Sequence, residues 1–271
     1  MIKKKHLKFI YFYLRITKNP IFVAKAILLK LTLRFTKNVD LVNSLTKKWV
    51  SERLVELPYG KFILSRSITC YSIISPYYEV ETRKKIYEIL KNIDPENDIF
   101  VDIGAHIGRY VVELSKYFNK IVAFEPNPYI FKLLKCNTIL NNIEDKVDLY
   151  NYALSDRDSE TYFKVNYFND GTSKIVNGPG EDVIKIQCKK FDDFDIDLKK
   201  VKLILIDVEG HEYQVLKGMK NGLKELPKGC SIILEIHDND PNKDKVIELL
   251  KENGFENIYK IDEWNYIAIK K

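Results

Sequence analysis

Residues 98–108 read DIFVDIGAHIG. Ile99, Phe100, Val101 and Ile103 form a short apolar run rich in β-branched residues, the pattern of a strand buried on both faces of a parallel sheet. The run closes on Asp102, Gly104 and Gly108. Beyond it Ile107, Val111, Leu114 and Phe118 recur at helical spacing. A strand, a tight glycine turn and a helix N-terminus make a place where a ligand can lie against backbone. Gly104 lets the chain turn sharply, and Gly108, without a Cβ, lets helix and strand approach closely.

A dinucleotide turn calls for G-x-G-x-x-G, with pyrophosphate seated on the helix N-terminus. Here the form is G-x-x-x-G, with His106 in place of the middle glycine and Asp102 just ahead of the first. A carboxylate at that point repels phosphate and suits a cation. S-adenosylmethionine carries an ammonium and a sulfonium and no phosphate, so the motif favours it over NAD. An ordinary strand-to-helix turn is the bland alternative.

At 271 residues, with 45% hydrophobic and 30% charged side chains, the chain has room for one sizeable α/β domain with additions. Cys70, Cys136, Cys188 and Cys230 form no C-x-x-C pair, which points to free thiols rather than disulfides or zinc. Four histidines are too few for a His-rich metal site. Charge is unevenly spread. Residues 1–48 hold 12 Lys and Arg against the single acid Asp40, a net of +11, and the remainder carries a net of −5. An acidic core is a poor general binder of nucleic acid, so no nucleic-acid partner is expected.

Residues 1–37 are basic and apolar together. Phe9 to Leu14 is too short to span a bilayer, and Arg15, Lys18, Lys25, Lys30 and Arg34 interrupt anything longer. No signal-peptide pattern is clear. One or two amphipathic helices, broken near Asn19-Pro20, are expected, packed on the protein or lying on an anionic membrane surface. The expected location is the cytoplasm, with peripheral contact at the inner membrane surface as the extension of that reading. Residues 51–80 read as a small β region: a hairpin turning at Tyr59-Gly60, then a strand-like run from Ile68 to Ile74. A helix over 79–92 leads into the central strand. The expected organisation is a helical segment at 1–50, a β/helix cap at 51–95 and an α/β domain at 96–271.

Further strands are expected at residues 120–124, 147–152, 202–206 and 230–234, with helices between them. This alternation means a mainly parallel sheet with helices on both faces. Strands near 257–261 and 265–269 supply an antiparallel edge. Residues 160–166 and 183–189 alternate like hairpin arms, and the glycine-rich loop between them is expected to be mobile and to reach a substrate. Strand two ends in Glu125-Pro126-Asn127. An acid 17 residues beyond Gly108 is placed to accept hydrogen bonds from ribose hydroxyls, a feature shared by NAD and S-adenosylmethionine. Ser155 and Asp156, after strand three, fall where the adenine of a nucleoside lies in this architecture.

VDIGAHIGRY, AFEPNP, LNN, NYALSD, LILIDVEGHEYQVLKG and ILEIH follow one another in register, and together they resemble the FkbM family of S-adenosylmethionine-dependent methyltransferases. The resemblance covers roughly residues 98–238, and I-D-V-E-G-x-E-x-x-V-L-x-G is its most specific block. It implies a Rossmann-like class I methyltransferase fold and O-methylation of a sugar, glycan, glycolipid or secondary metabolite. It implies that Asp102, Gly104, Ala105 and Gly108 line the amino-acid portion of the cofactor and that Glu125 binds ribose, with His106 and Asn127 also among the cofactor-binding residues. Ser155 and Asp156 would lie near adenine, and Asp207 would face the methionine portion and the transferred methyl. His106 stands where the family more often has Asn.

Methyl transfer to oxygen is an in-line displacement that needs a positioned hydroxyl and a base. Strand ends four and five supply Asp207, Glu209, Glu212, Glu235 and His237. Histidine titrates nearest neutrality, so His237 is the best base. Asp207 and Glu209 complete the expected catalytic set. His106 and His211 are other bases, His211 more in keeping with a structural role at a helix start. Asp207, Glu209 and His237 could instead ligate Mg²⁺ or a similar hard cation, although no metal ligand is assigned. The competing readings are an NAD-dependent oxidoreductase, a nucleic-acid methyltransferase and a non-catalytic membrane-associated scaffold. The N-P-P-Y-type block expected of the second is absent after strand four.

Overall fold

A computed structural model describes residues 20–37, 52–67 and 70–271, together with scattered helical residues at 11, 14–15, 41–42 and 44–46. Five parallel strands form the centre: β3 (Ile99–Ile103), β4 (Lys120–Phe124), β5 (Val147–Tyr150), β10 (Val201–Ile206) and β11 (Ser231–Glu235). With β12 (Tyr259–Lys260) and β13 (Asn265–Ile269) they make a seven-stranded sheet in the order β12-β13-β11-β10-β3-β4-β5. β13 runs antiparallel to both β11 and β12, which gives the expected antiparallel edge. The order reverses between β3 and β10, and a crevice opens beyond the carboxyl ends of strands at such a point.

Both faces of the sheet are covered. Side chains alternate along each strand, as period-2 geometry requires. Phe100, Ile121, Leu203 and Ile233 pack with α4 (Arg109–Leu114) and α5 (Pro128–Leu140) on one face. Val101, Val122, Ile204 and Ile232 pack with α6 (Glu212–Gly218), α7 (Gly222–Glu225) and α8 (Lys243–Glu252) on the other. The helix after β3 is shorter than its apolar spacing implies, yet Ile107, Val111, Leu114 and Phe118 are all buried.

The front section is built onto the first of these faces. β1 (Arg53–Leu57) and β2 (Gly60–Leu64) form the expected hairpin. Its free backbone is satisfied by two asparagines of α5. Asn137 Oδ1 accepts from Ile63 N at 2.6 Å while its Nδ2 donates to Ile63 O. Asn141 does the same for Lys61, at 2.9 and 2.7 Å. Two amides thus stand in for a neighbouring strand. α1 (Pro20–Thr36), α2 (Cys70–Ile73) and α3 (Val80–Ile89) complete this side.

The run ending at Ile74 is helical over Cys70–Ile73 rather than the expected strand; Ile68 and Thr69 lie outside the described residues. Cys70, Tyr71 and Ile74 are fully buried, and their i, i+1, i+4 spacing puts them on one helical face, so packing overrides β propensity. The glycine-rich loop is not free along its length. Asp170–Thr172 forms a 3₁₀ turn, and β8 (Lys174–Val176) pairs with β7 (Ser159–Lys164). With β6 (Ala153–Leu154) and β9 (Val183–Lys189) these strands make a second sheet in the order β6-β9-β7-β8. Cys70, Cys188 and Cys230 are buried, Cys136 is exposed, and all four are free thiols.

Candidate active site

A cleft of about 510 Å³ lies over the carboxyl ends of β3, β4, β10 and β11, a volume that suits a cofactor or metabolite. Residues from the α2–α3 segment and from the 169–175 turn roof it.

One half is built by the ends of β3 and β4. Asp102 points into it almost fully buried, and its side chain meets no hydrogen-bond donor among the described residues. Burial, with Glu125 and Glu79 nearby, pushes its pKa up to about 8. Gly104 has φ +87°, and a Cβ there would fall 1.8 Å from the Asp207 carbonyl oxygen. Only glycine therefore lets β3 and β10 meet at the crevice. The amides of Gly104 and Ala105 both donate to Phe124 O, at 3.0 and 2.9 Å. Gly108, at φ +82°, closes the turn, and a Cβ on it would strike Leu134.

Glu125 is held rigidly. Its Oε2 accepts from His106 N at 3.0 Å and its Oε1 from Asn127 N at 2.7 Å. Burial nonetheless raises its pKa to about 7. Asn127 caps α5 by accepting from Tyr129 N at 3.0 Å. His106 sits at φ +51°. Its Nε2 lies 3.2 Å from Asp170 Oδ1. Burial disfavours the imidazolium, but the Asp170 carboxylate outweighs this and raises the His106 pKa. Asp170 Oδ2 also accepts from the Ser65 hydroxyl. The cofactor turn, the end of β2 and the 169–175 turn are thereby joined at one buried carboxylate.

Ser155 and Asp156 are not brought to the cleft wall. Ser155 Oγ is 2.9 Å from His211 Nε2, and Asp156 pairs with Lys217 at 2.7 Å. Tyr152, Ala153 and Leu154, immediately before them, line the cleft instead. Gly218, the last residue of the I-D-V-E-G block, packs on this turn, since a Cβ there would lie 1.9 Å from Ser155 O.

The other half is acidic. Asp207 continues the β3 ladder, its amide donating to Ile103 O at 2.9 Å, and it lines the cavity as an exposed residue. Glu209 at φ +54° and Gly210 at φ +93° form a tight turn whose amide at 210 is held by Glu212. Burial, reinforced by the Glu212 charge, raises Glu209 to about 7. Glu235 rises to about 8 by burial and by the charges of Glu209, Glu79 and Glu212. His237 Nε2 lies 2.9 Å from Glu235 Oε1, and the Trp264 ring is 5.8 Å from the imidazole. Glu79, at φ +44°, enters from the start of α3 and accepts from Tyr110 Oη at 2.6 Å. Glu79, Tyr78, Asp170 and Trp264 carried no sequence signal, because only the tertiary fold brings their segments over the strand ends.

Residues 102–256 match the Methyltransferase FkbM domain. The chain belongs to the FkbM methyltransferase family. As an FkbM protein it is an S-adenosylmethionine-dependent methyltransferase, and its sheet order and glycine turn are those expected of the class I fold. Hexuronic acid methyltransferase AglP of Haloferax volcanii is 29% identical over 175 residues, covering 64% of this chain and 70% of that protein. Methyltransferase sdnD of Sordaria araneosa is 26% identical over 206 residues, covering 63% and 78%. The 31-O-demethyl-FK506 methyltransferase FkbM of Streptomyces tacrolimicus is 25% identical over 194 residues, covering 58% and 72%. The FkbM match takes in both halves of the cleft, from Asp102 to His237. The cleft also fits the cofactor: Asp102, buried and without a donor of its own, would suit an ammonium, and Glu125, fixed by two amides, has remaining lone pairs that would suit a diol.

Proposed function

We propose that this methyltransferase transfers the methyl group to a sugar hydroxyl, with His237 as the base. The contact that carries the reading is the 2.9 Å pair of His237 Nε2 and Glu235 Oε1 at the tip of β11. When bound, S-adenosylmethionine would supply an electrophilic methyl, carried on a sulfonium that becomes a neutral thioether once the methyl is on the acceptor oxygen. With the cationic cofactor bound Glu235 is ionised and accepts a hydrogen bond from His237 Nε2–H, which orients the ring and leaves Nδ1 to take the hydroxyl proton. Asp207 holds the methionine portion and Glu209 an acceptor hydroxyl. On the cofactor side Asp102, Gly104, Ala105, His106 and Gly108 hold the amino-acid end, and Glu125 and Asn127 the ribose. Tyr152 and Leu154 take the place beside adenine that Ser155 and Asp156 were expected to fill.

The charge of the cleft narrows the acceptor. Its outer half presents Glu79, Asp207, Glu209 and Glu235. Among the described residues that line the cleft, Arg109 is the one Lys or Arg, and its guanidinium is spent on the carbonyls of Ile73 and Ser75 and on Glu113. With the cationic cofactor bound and these carboxyls ionised, a carboxylate or phosphate on the reacting sugar would meet repulsion, so the acceptor is neutral or amino-bearing there. One relative is named for a hexuronic acid, and an acceptor of that charge does not suit this cleft.

His237→Ala tests the base. Calorimetric titration should show unchanged affinity for S-adenosylmethionine and none for NAD⁺. Methyl transfer to neutral and amino sugars should fall about 10²–10⁴-fold; undiminished transfer would refute the assignment. A second reading rests on Glu209, Glu235 and His237, whose ligand atoms lie within 4.8 Å of one another and form a donor set for a divalent cation. Full turnover in EDTA supports the metal-free base. Loss of turnover restored by Mg²⁺ would move these three residues to a metal.

A further inference from the structure

α1 presents two apolar faces, and among the described residues only one of them is covered. Val23 and Ala26 are buried in the same core as Val42, Val55 and the hairpin. On the other side Ile27, Leu28, Leu31 and Phe35 are exposed, at 39%, 49%, 42% and 80%. Their i, i+1, i+4, i+8 spacing gathers them into an arc of about 100° on a 3.6-residue helix. A helix of a soluble monomer buries one apolar stripe and turns charge outward, so an outward stripe calls for an occupant.

The charge around the stripe identifies that occupant. Lys25 and Arg34 flank it and Lys37 follows. Asp40 is the only acid in residues 1–48, against 12 Lys and Arg, while the rest of the chain is net negative. A second copy would bring the same positive charge against it. Among the described residues no helix is long and apolar enough to cross a membrane. We infer that α1 lies flat on an anionic lipid surface, with Ile27, Leu28, Leu31 and Phe35 in the headgroup boundary and the basic side chains against the phosphates. The negative remainder is repelled by the same surface, which fixes the orientation of the docked enzyme. This places methylation at a bilayer, where an acceptor sugar carried on a lipid is within reach.

Co-sedimentation of the full chain with vesicles tests this, using phosphatidylcholine with or without about one third phosphatidylglycerol. Binding to the anionic vesicles is expected, with at least tenfold weaker binding to the neutral ones and a steep loss with salt. Leu28→Glu with Phe35→Glu, and separately Lys25→Glu with Arg34→Glu, should each lower the partition coefficient at least tenfold and leave affinity for S-adenosylmethionine unchanged. Absence of binding to anionic vesicles at low salt, or equal binding by both double variants, would overturn the inference. So would a stripe variant that turns a dimer into a monomer without changing vesicle binding, which would make the occupant a second copy. None of these outcomes bears on the His237 assignment, which is read from turnover.

Discussion

At Gly104 a single hydrogen in place of a side chain decides whether the crevice exists. The residue needs φ +87°, and any Cβ would meet the Asp207 carbonyl at 1.8 Å. Backbone on both sides leaves nothing flexible to yield. Gly104→Ala is therefore expected to cost about 2–4 kcal/mol and to remove cofactor binding, read by denaturant unfolding and by calorimetry. Unchanged affinity would mean that β3 and β10 separate without cost at this point. The positions of Gly104 and Asp102 at the crevice were legible from the sequence because they follow from chain geometry within one strand-turn-helix unit. His106 was legible only in part. Its amide contact with Glu125 belongs to the same turn, but its pairing with Asp170 joins residues 64 positions apart in the chain, and no local pattern encodes that.

Among the elements, the buried Asp170 carboxylate is the joint between the cofactor turn, the end of β2 and the turn ahead of β8. Burial alone would raise its pKa, but His106 and the Ser65 and Ser67 hydroxyls bring it below the usual carboxylate value of 3.8. His106 moves the other way, above 6.5, since the Asp170 charge outweighs its burial. A depressed acid stabilises the fold above its unfolded pKa and loses that contribution as pH falls through the folded one. A raised base stabilises below its unfolded pKa and loses that as pH rises through the folded one. The pair is thus worth most between about pH 4 and 6.5. Asp170→Asn should lower the melting temperature by several degrees at pH 5.5, with a smaller difference from the parent at pH 9. A pH-independent difference would show that the contacts of Asp170 matter and its charge does not. The loop that carries Asp170 looked mobile from its glycines and polar residues, whereas one of its acids is a buried anchor. The run at 70–74 misled for a similar reason: β-branched residues suggested a strand, and three side chains packing into one core imposed a helical turn.

For the molecule as a whole, the mainly parallel sheet, its antiparallel edge and its two covered faces could be read from alternating apolar runs and punctuating glycines, because those signals are local and repeated. The electrostatic state of the cleft could not, since it depends on carboxylates that arrive from β3, β4, β10, β11 and the front section. Asp102 and Glu235 are raised to about 8, and Glu125 and Glu209 to about 7, in each case first by burial. Unfolded, these groups titrate near 4, so between pH 4 and 8 the folded chain holds protons that the unfolded chain has released. Their contribution to stability is complete below about pH 4 and is lost as pH rises through 7 to 8. The cofactor-free enzyme should therefore melt at progressively lower temperature from pH 6 to pH 9. S-adenosylmethionine brings an ammonium and a sulfonium to the ionised carboxylates, so the melting shift it produces should be larger at pH 8.5 than at pH 6. S-adenosylhomocysteine, which keeps the ammonium and lacks the sulfonium, should show a smaller increase over the same interval. Scanning fluorimetry across that range separates the terms. A flat profile without ligand would mean that the cleft carboxylates stay ionised, and that charge repulsion in the empty cleft is relieved by solvent rather than by the cofactor.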